Sequence, residues 1–438
     1  MAKEQKSVSA SKANYWSLFK DRNFPLYFVL TLSFFMTIFF RVSASVIMPL
    51  EAERLGISAS LVGFISSAHF YSYALMQPIS GVLHDRHGPV RVVAWGLVLT
   101  AASCLLLTLV RTPFTLGVWR LVSGLGVSPM YSATLVFIAF AFPHERYTFY
   151  AGINFAVSNL GAMVSVAPLG FAVDRFGIGP VFTALAAISS VMALVLGMKA
   201  KEDPLRKKAA DGGKSKSLSS LVPGIGRALI FVFRDRRMRA LMTLWAASAA
   251  SLVVFQGLWG AVWFEVAFKV SAASARFWSS LISVGMMVGP LLAGGIVITP
   301  ERLPITIRKT IALNSVVWFV LLGVVYLACP VWVGGVAALA LGAATGLRGI
   351  FVLAGVTALT PPEEKGVVFG AMNMIAVFST ILSQWLSGVI IDLFPTARPG
   401  VYTEEGYFAA FLLVACVLSL SMLVFRPLGL EPLKAREE

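Results

Sequence analysis

The sequence predicts an all-α membrane protein with twelve transmembrane helices in two six-helix bundles. Three observations carry this. The 438 residues are 58% hydrophobic and 13% charged, with a mean hydropathy of +0.81, whereas a soluble domain is nearer half apolar and a quarter charged. Apolar runs recur twelve times, each near the ~20 residues that cross a hydrocarbon core of ~30 Å. One basic segment, 199–239, divides those runs six and six.

The N-terminal tail, 1–23, is basic. Span 1 (24–50) is apolar except for Arg41; Ser33, Thr37, Arg41 and Ser45 recur at i+4, a polar stripe on one face. The run is too long for a signal-peptide core and lacks a small-residue cleavage site, so it is expected to stay. Span 2 (60–83) places His69, Tyr73 and Gln77 on one face. After span 3 (92–110), span 4 (113–140) contains Arg120, the only charge from 112 to 144. Spans 5 (147–173) and 6 (178–198) complete a first bundle, 24–198. The linker that follows carries 12 basic against 4 acidic residues. Its second part, 219–233, reads as an amphipathic helix on the membrane surface, suited to anionic lipid.

In the second bundle, 240–426, span 7 (240–264) carries Gln256, Trp259 and Trp263, with Glu265 at its outer end. Spans 8 (277–299) and 9 (310–329) lead to span 10 (331–359), where Arg348 is the only charge from 310 to 362. Span 11 (366–391) includes Asn373, and span 12 (406–425) precedes the tail, 427–438.

Charge placement orients the chain. With the N-terminus inside, 27 of the 36 Lys and Arg fall in cytoplasmic segments, six in outer loops and three within helices. This is the positive-inside bias, so both termini are expected in the cytoplasm of a plasma membrane, such as a bacterial inner membrane. The net charge of +15 therefore calls for no nucleic acid. Cys104, Cys329 and Cys416 lie inside spans and argue against a disulfide framework. His84 and His87 lack carboxylate or thiol company and make a poor metal site.

The intramembrane arginines point to chemistry. An arginine at the bilayer centre costs ~3 kcal/mol on insertion scales, so it should face a wet cavity or a partner. No Asp or Glu lies deep in any span. Arg41, Arg120 and Arg348 thus lack resident anions, and a substrate carboxylate or phosphate would supply one. Arg41 is the strongest candidate; the bland alternatives are snorkelling for Arg41, helix packing for Arg120 and carbonyl capping for Arg348. Tyr73, Gln256, Trp259 and Asn373 are candidates to orient a ligand, or polar glue between helices. His69 is either a packing residue or a proton carrier, and Glu265 is the other candidate for proton coupling.

An internal repeat is visible as well. Spans 2, 5 and 11 end in GVLHD from Gly81, GFAVD from Gly170 and GVIID from Gly388; span 8 ends GIVIT from Gly295, with Thr299 in place of Asp. The unit is three helices, so successive copies enter the membrane in opposite directions, the organisation of alternating-access transporters.

GVLHDRHGPVR (81–91) resembles the signature loop of the major facilitator superfamily, and Arg120-Leu-Val-Ser-Gly124-Leu-Gly126 is similar to its second motif. The resemblance covers nearly the whole chain and implies alternating access, with spans 1, 4, 7 and 10 lining a central cavity. It also implies that Gly81, Asp85, Arg86, Gly88 and Arg91 form a cytoplasmic latch, with Asp85 holding a helix N-terminus or a basic partner from the other half. An arginine in span 1 and another in span 4 look like the organic-anion branches, including sugar-acid permeases. Organophosphate exchangers place an arginine in span 7, which this chain lacks, and Phe40 stands where proton-coupled sugar-acid carriers have an acid.

The expected function is a secondary transporter, a monomer importing a small organic anion with protons. An efflux antiporter is the rival: Gly152, Gly161 and Ala167-Pro168-Leu169-Gly170 resemble the antiporter motif, with the proline two residues late. An anion exchanger or a non-transporting sensor on the same scaffold are further alternatives. No cofactor and no catalytic constellation is expected.

Overall fold

The computed structural model describes residues 21–143, 146–205, 218–294, 299, 301–361, 364–398 and 400–424, without the side chains of 148, 218–225, 294 and 366. Most of both tails, residues 206–217 of the linker and the repeat glycine Gly295 lie outside these. Twelve spans, several of them broken into two or more helices, are present among the described residues. Ten are single or gently broken spans, long and apolar enough to cross a membrane: Phe24–Leu55, Pro89–Thr108, Pro113–Ala141, Ile178–Glu202, Arg236–Phe268, Ala272–Ala293, Leu303–Tyr326, Val331–Leu359, Val367–Ile391 and Glu404–Val424. Span 5 is a pair, Phe149–Val164 and Ala167–Phe176, bent by 42° where Pro168 cannot donate to the helix. Span 2, Ala59–His87, is the most polar of the twelve because it carries His69, Tyr73, Gln77 and five serines. A further helix, Leu218–Arg234, joins the halves along one surface, here termed the linker face.

Sequence punctuation sets the ends. Pro25, Pro89 and Pro113 stand in the first turns of spans 1, 3 and 4, where a missing N–H costs nothing. Thr112 and Thr115 close a capping box on span 4, and Asp235 accepts from Arg237 N (2.8 Å) and Met238 N (3.0 Å) to open span 7. Spans 8 and 9 begin at Ala272 and Leu303, several residues before their apolar runs. Polar first turns extend these helices beyond the hydrocarbon; Ser271 Oγ accepts from Ser274 N (3.4 Å) at the start of span 8.

Two local irregularities concern the site. Span 1 breaks at Ser43, between Phe24–Val42 and Ala44–Leu55. Span 7 contains a π-turn at Phe255–Trp259, a feature that re-aims side chains. Small residues then let helices touch backbone to backbone. A Cβ added at Gly285 would stand 2.7 Å from Ala343 N, and one at Gly342 would stand 2.8 Å from the Ile282 carbonyl carbon, so spans 8 and 10 form one slab.

The halves meet at the face opposite the linker, the far face. Asp392, at the end of span 11, accepts from Ala59 N (2.7 Å), Ser60 N (2.9 Å) and Tyr402 Oη (2.6 Å). It caps the N-terminus of span 2. Asp174, at the end of span 5, accepts from Arg276 Nη1 of span 8 at 2.6 Å. Both are copies of the Gly-x-x-x-Asp repeat, and both cross between halves. Burial would push the Asp392 carboxyl up, but the bonds donated by Ser60, Tyr402 and Ala59 outweigh it and hold it below the ordinary aspartate value. This clasp is therefore intact at neutral pH and is lost only as pH falls through that lowered value. Asp85, the third copy, stands at the linker face without an ion-pair partner among the described residues. A Cβ added at Gly81 meets nothing within 4 Å. The far face is closed and the linker-face copy is disengaged.

Candidate functional site

Between the halves lies a cavity of about 230 Å³, walled by spans 1, 2, 7 and 11. Arg41, His69 and Tyr73 form one side; Trp245, Asn373 and Thr380 face them from the other half, with aliphatic residues between. Phe70, Val253 and Ile381 pack into a buried cluster on its far side, while Asn373, towards the linker face, is exposed. The cavity is thus sealed from the far face.

The polar stripe of span 1 resolves into separate tasks. Ser33 Oγ donates to Val29 O (2.8 Å), Ser45 Oγ to Val42 O (2.9 Å) and Thr37 Oγ1 to Val127 O of span 4 (3.1 Å). These donors are satisfied. Arg41 is not: among the described residues its Nε is buried without a partner, and no acid stands among those lining the cavity. An unpaired guanidinium at a cavity wall, in a low-dielectric surround, has the charge and the planar donor set that an anion would need.

Arg120 is fully buried and spoken for. Its Nε and Nη2 donate to Ser66 O (3.3 and 3.1 Å) and its Nη1 to Phe40 O (3.1 Å). Ser43 Oγ also donates to Phe40 O (3.1 Å). Arg120 therefore bolts spans 2 and 4 to the broken backbone of span 1, one residue before Arg41. It holds the carbonyl of the residue before Arg41 and is not among the residues lining the cavity.

His69 Nδ1 lies 3.1 Å from Ser123 Oγ, and that hydroxyl donates to Arg120 O at 2.8 Å. With its proton so engaged, Ser123 accepts, and Nδ1–H is the donor. The Nε2 lone pair is left for the cavity. The His69 and Tyr73 rings stack with centroids 6.4 Å apart, as their i+4 spacing predicts.

The remaining sequence candidates stand elsewhere. Arg348 is buried, with Nε and Nη1 unpartnered, in the span-10 face that packs in the second bundle's core. Gln256 Nε2 donates to Ser283 Oγ (2.9 Å) and borders a separate void of about 10 Å³, room for one water. Trp259 Nε1 donates to Ser387 Oγ at 3.0 Å, tying span 7 to span 11. Glu265 is exposed at the far end of span 7. Spans 4 and 10, expected to line the cavity, stand behind it. Trp245, Thr380 and Arg276, the clasp partner of Asp174, were not singled out by the sequence. The repeat signalled the two aspartates; Trp245 looks like any lipid-facing tryptophan.

Comparison with known proteins places this geometry. The chain is 27% identical over 176 residues to a probable sulfoacetate transporter of Cupriavidus necator, a match covering 40% of this chain and 41% of that protein's length. It is 23% identical to the hexuronate transporter of Bacillus subtilis, over 94% of this chain and 98% of that one. Its fold matches the structure of a bacterial homologue of the human lysosomal transporter Spinster, described as inward-facing and unoccupied. The TM-score is 0.71 at 14% identity, over 92% of this chain and 95% of the other. The family model of the Major Facilitator Superfamily matches residues 30–307. The chain spans about half the length of the first curated relatives it matches, 41%, 51% and 49%, and with the family model matching more than half of its own residues it belongs to the Major Facilitator Superfamily.

Proposed function

We propose that this transporter moves a small organic anion, a carboxylate or sugar acid, by alternating access, importing it together with protons. The observation that carries the reading is the cavity between the halves, which presents Arg41 without a counter-acid. The curated similarities favour the same class, since a sulfoacetate and a hexuronate transporter both act on small anions. The linker face is the cytoplasmic face by charge placement, and the cavity is sealed from the opposite side. Arg41 holds the anion, with Tyr73 and Asn373 as hydrogen-bonding partners; Arg120 positions Arg41. Gln256, Trp259 and Arg348 act at one remove, by shaping spans 7 and 10. Gly81, Asp85, Arg86, Gly88 and Arg91 form the cytoplasmic counterpart of the far-face clasps, engaged when the cavity faces outward.

A thermal-shift screen of the purified protein tests the substrate class. Carboxylates, sugar acids, sulfonates and organophosphates are compared, each with a neutral analogue. A ligand at about 100 times its Kd adds ~2.7 kcal/mol to stability, so an anionic substrate raises the melting temperature where its neutral analogue does not. Stabilisation by neutral or cationic compounds alone refutes the anion reading and favours efflux of another class.

Proton coupling is assigned to His69, the one imidazole lining the cavity among the described residues. Glu265 is the reserve candidate, separated from the cavity by most of a helix. His69→Gln keeps a hydrogen-bonding side chain near Ser123 but cannot change charge. In proteoliposomes with an imposed pH gradient, His69→Gln is expected to lose the acceleration of uptake by external acid, while binding at neutral pH changes by only a few-fold. An unchanged pH dependence removes His69 from the mechanism and favours anion exchange without protons.

A further inference from the structure

On the lipid-facing side of the first bundle, spans 3 and 6 enclose a second, larger recess of about 670 Å³. Its construction is regular. Ala94, Ala101 and Ala193 are buried at its floor and Gly197 is an exposed part of its lining, while Val98 (58% exposed), Leu194 (63%) and Met198 (68%) stand up as rims. A Cβ added at Gly197 meets nothing within 4 Å. Small residues on one face of each helix, between large ones, leave a trough running along the helix axes.

The trough has a length and a polarity. From Arg91 to Ala101 is ten residues of helix, about 15 Å at 1.5 Å per residue, half of the ~30 Å hydrocarbon core. That is the depth of one leaflet. Arg91 lines the linker-face end and has no ion-pair partner among the described residues. Trp95, 46% exposed, lies one turn deeper, at the level where indoles favour the headgroup boundary. One leaflet of apolar trough ending at a free arginine matches a lipid of that leaflet.

We propose that the trough between spans 3 and 6 holds an acyl chain of an anionic glycerophospholipid, with its phosphate and negative headgroup on Arg91. The site joins the substrate-independent parts of the gate. Arg91 ends the 81–91 loop that carries Asp85, and the neighbouring Val90 N donates to Asp203 Oδ2 at the start of the linker (3.0 Å). A lipid seated there braces the loop and the linker at their junction.

Native mass spectrometry of the full chain, released from detergent micelles doped with phosphatidylglycerol or phosphatidylcholine, tests this. A juxtamembrane charge contributes about 1 kcal/mol towards anionic lipid, so wild-type protein is expected to retain phosphatidylglycerol over phosphatidylcholine by about fivefold. Arg91→Gln should retain both equally, and Arg91→Lys should keep the preference. Gly197→Phe, which fills the trough, should retain one fewer lipid of either kind. Free glycerol phosphate should not compete, since the chain supplies the seat; full competition would mean a plain phosphate site and overturn the proposal. Equal retention of both lipids by wild type would overturn it too, as would unchanged preference in Arg91→Gln with unchanged lipid number in Gly197→Phe.

Discussion

Gly388→Val is expected to reduce transport to near background while leaving a folded protein that still binds substrate from outside. A Cβ at Gly388 would stand 2.6 Å from the Ala59 carbonyl carbon and closer still to its oxygen. The obstacle is backbone, so no side-chain rotation relieves it. Spans 2 and 11 would have to separate, and the Asp392 clasp on Ala59 and Ser60 would go with them. Gly63 makes the same close approach to Gln384 one turn further in; a Cβ there would be 2.9 Å from the Gln384 carbonyl carbon. A state with the far face open carries none of these clashes. Inverting a 99:1 preference takes about 5.5 kcal/mol, and a β-branched side chain driven into a backbone contact plus the loss of the clasp supplies energy of that order. Labelling checks it. With cysteine introduced at Ala59, which is buried against span 11, an impermeant thiol reagent should modify Gly388→Val from the far face and leave the Gly388 parent protected. Gly81→Val, at the disengaged copy of the motif, should give the opposite accessibility. Wild-type transport by Gly388→Val would mean that the closed far face is not an obligatory state of the cycle.

The sequence made the spans legible for a physical reason: lipid imposes one demand, about twenty apolar residues, on every crossing. Span 2 carries the weakest apolar signal, because its serines, His69 and Gln77 dilute it. The starts of spans 8 and 9 were placed too late, since helices protrude beyond the hydrocarbon and protruding turns are polar. Within the site, Arg41, His69 and Tyr73 were readable from periodicity on single helices, and the structure brings them to one cavity. The fate of Arg120 was not readable. Its partners are the carbonyls of Ser66 and Phe40, and every residue has a carbonyl, so no pattern in the sequence marks those two. The same holds for the clasps. The repeat revealed Asp174 and Asp392 as copies of Asp85, but their engagement with Arg276 and the span-2 N-terminus depends on how the two halves tilt. Trp245 and Thr380 went unnoticed because a cavity wall contributed by the other half has no local signature.

Arg41→Ala is expected to lower affinity for the anionic substrate by roughly 30- to several-thousand-fold, the range for removing one member of a buried charge pair at about 2–5 kcal/mol. Arg41→Lys is the sharper test. Lysine keeps the charge but offers a point donor where the guanidinium offers a planar fork for two parallel bonds. Loss of one charged hydrogen bond, about 1.5 kcal/mol or more, corresponds to about tenfold weaker binding. The backbone around position 41 argues that geometry matters there: Arg120 and Ser43 both fasten the Phe40 carbonyl, so the side chain that follows leaves a fixed base. Arg120→Lys serves as the contrast. One ammonium cannot span the carbonyls of both Ser66 and Phe40, so this variant should show lower thermal stability and folded yield. Ligand affinity of the folded, purified variants, measured by calorimetry with the best anion from the screen, separates the roles. A lysine at 41 that binds every anion as wild type does would show that Arg41 only extends its charge towards water. The cavity would then need another cation, and none of the other described residues that line it is an arginine or lysine.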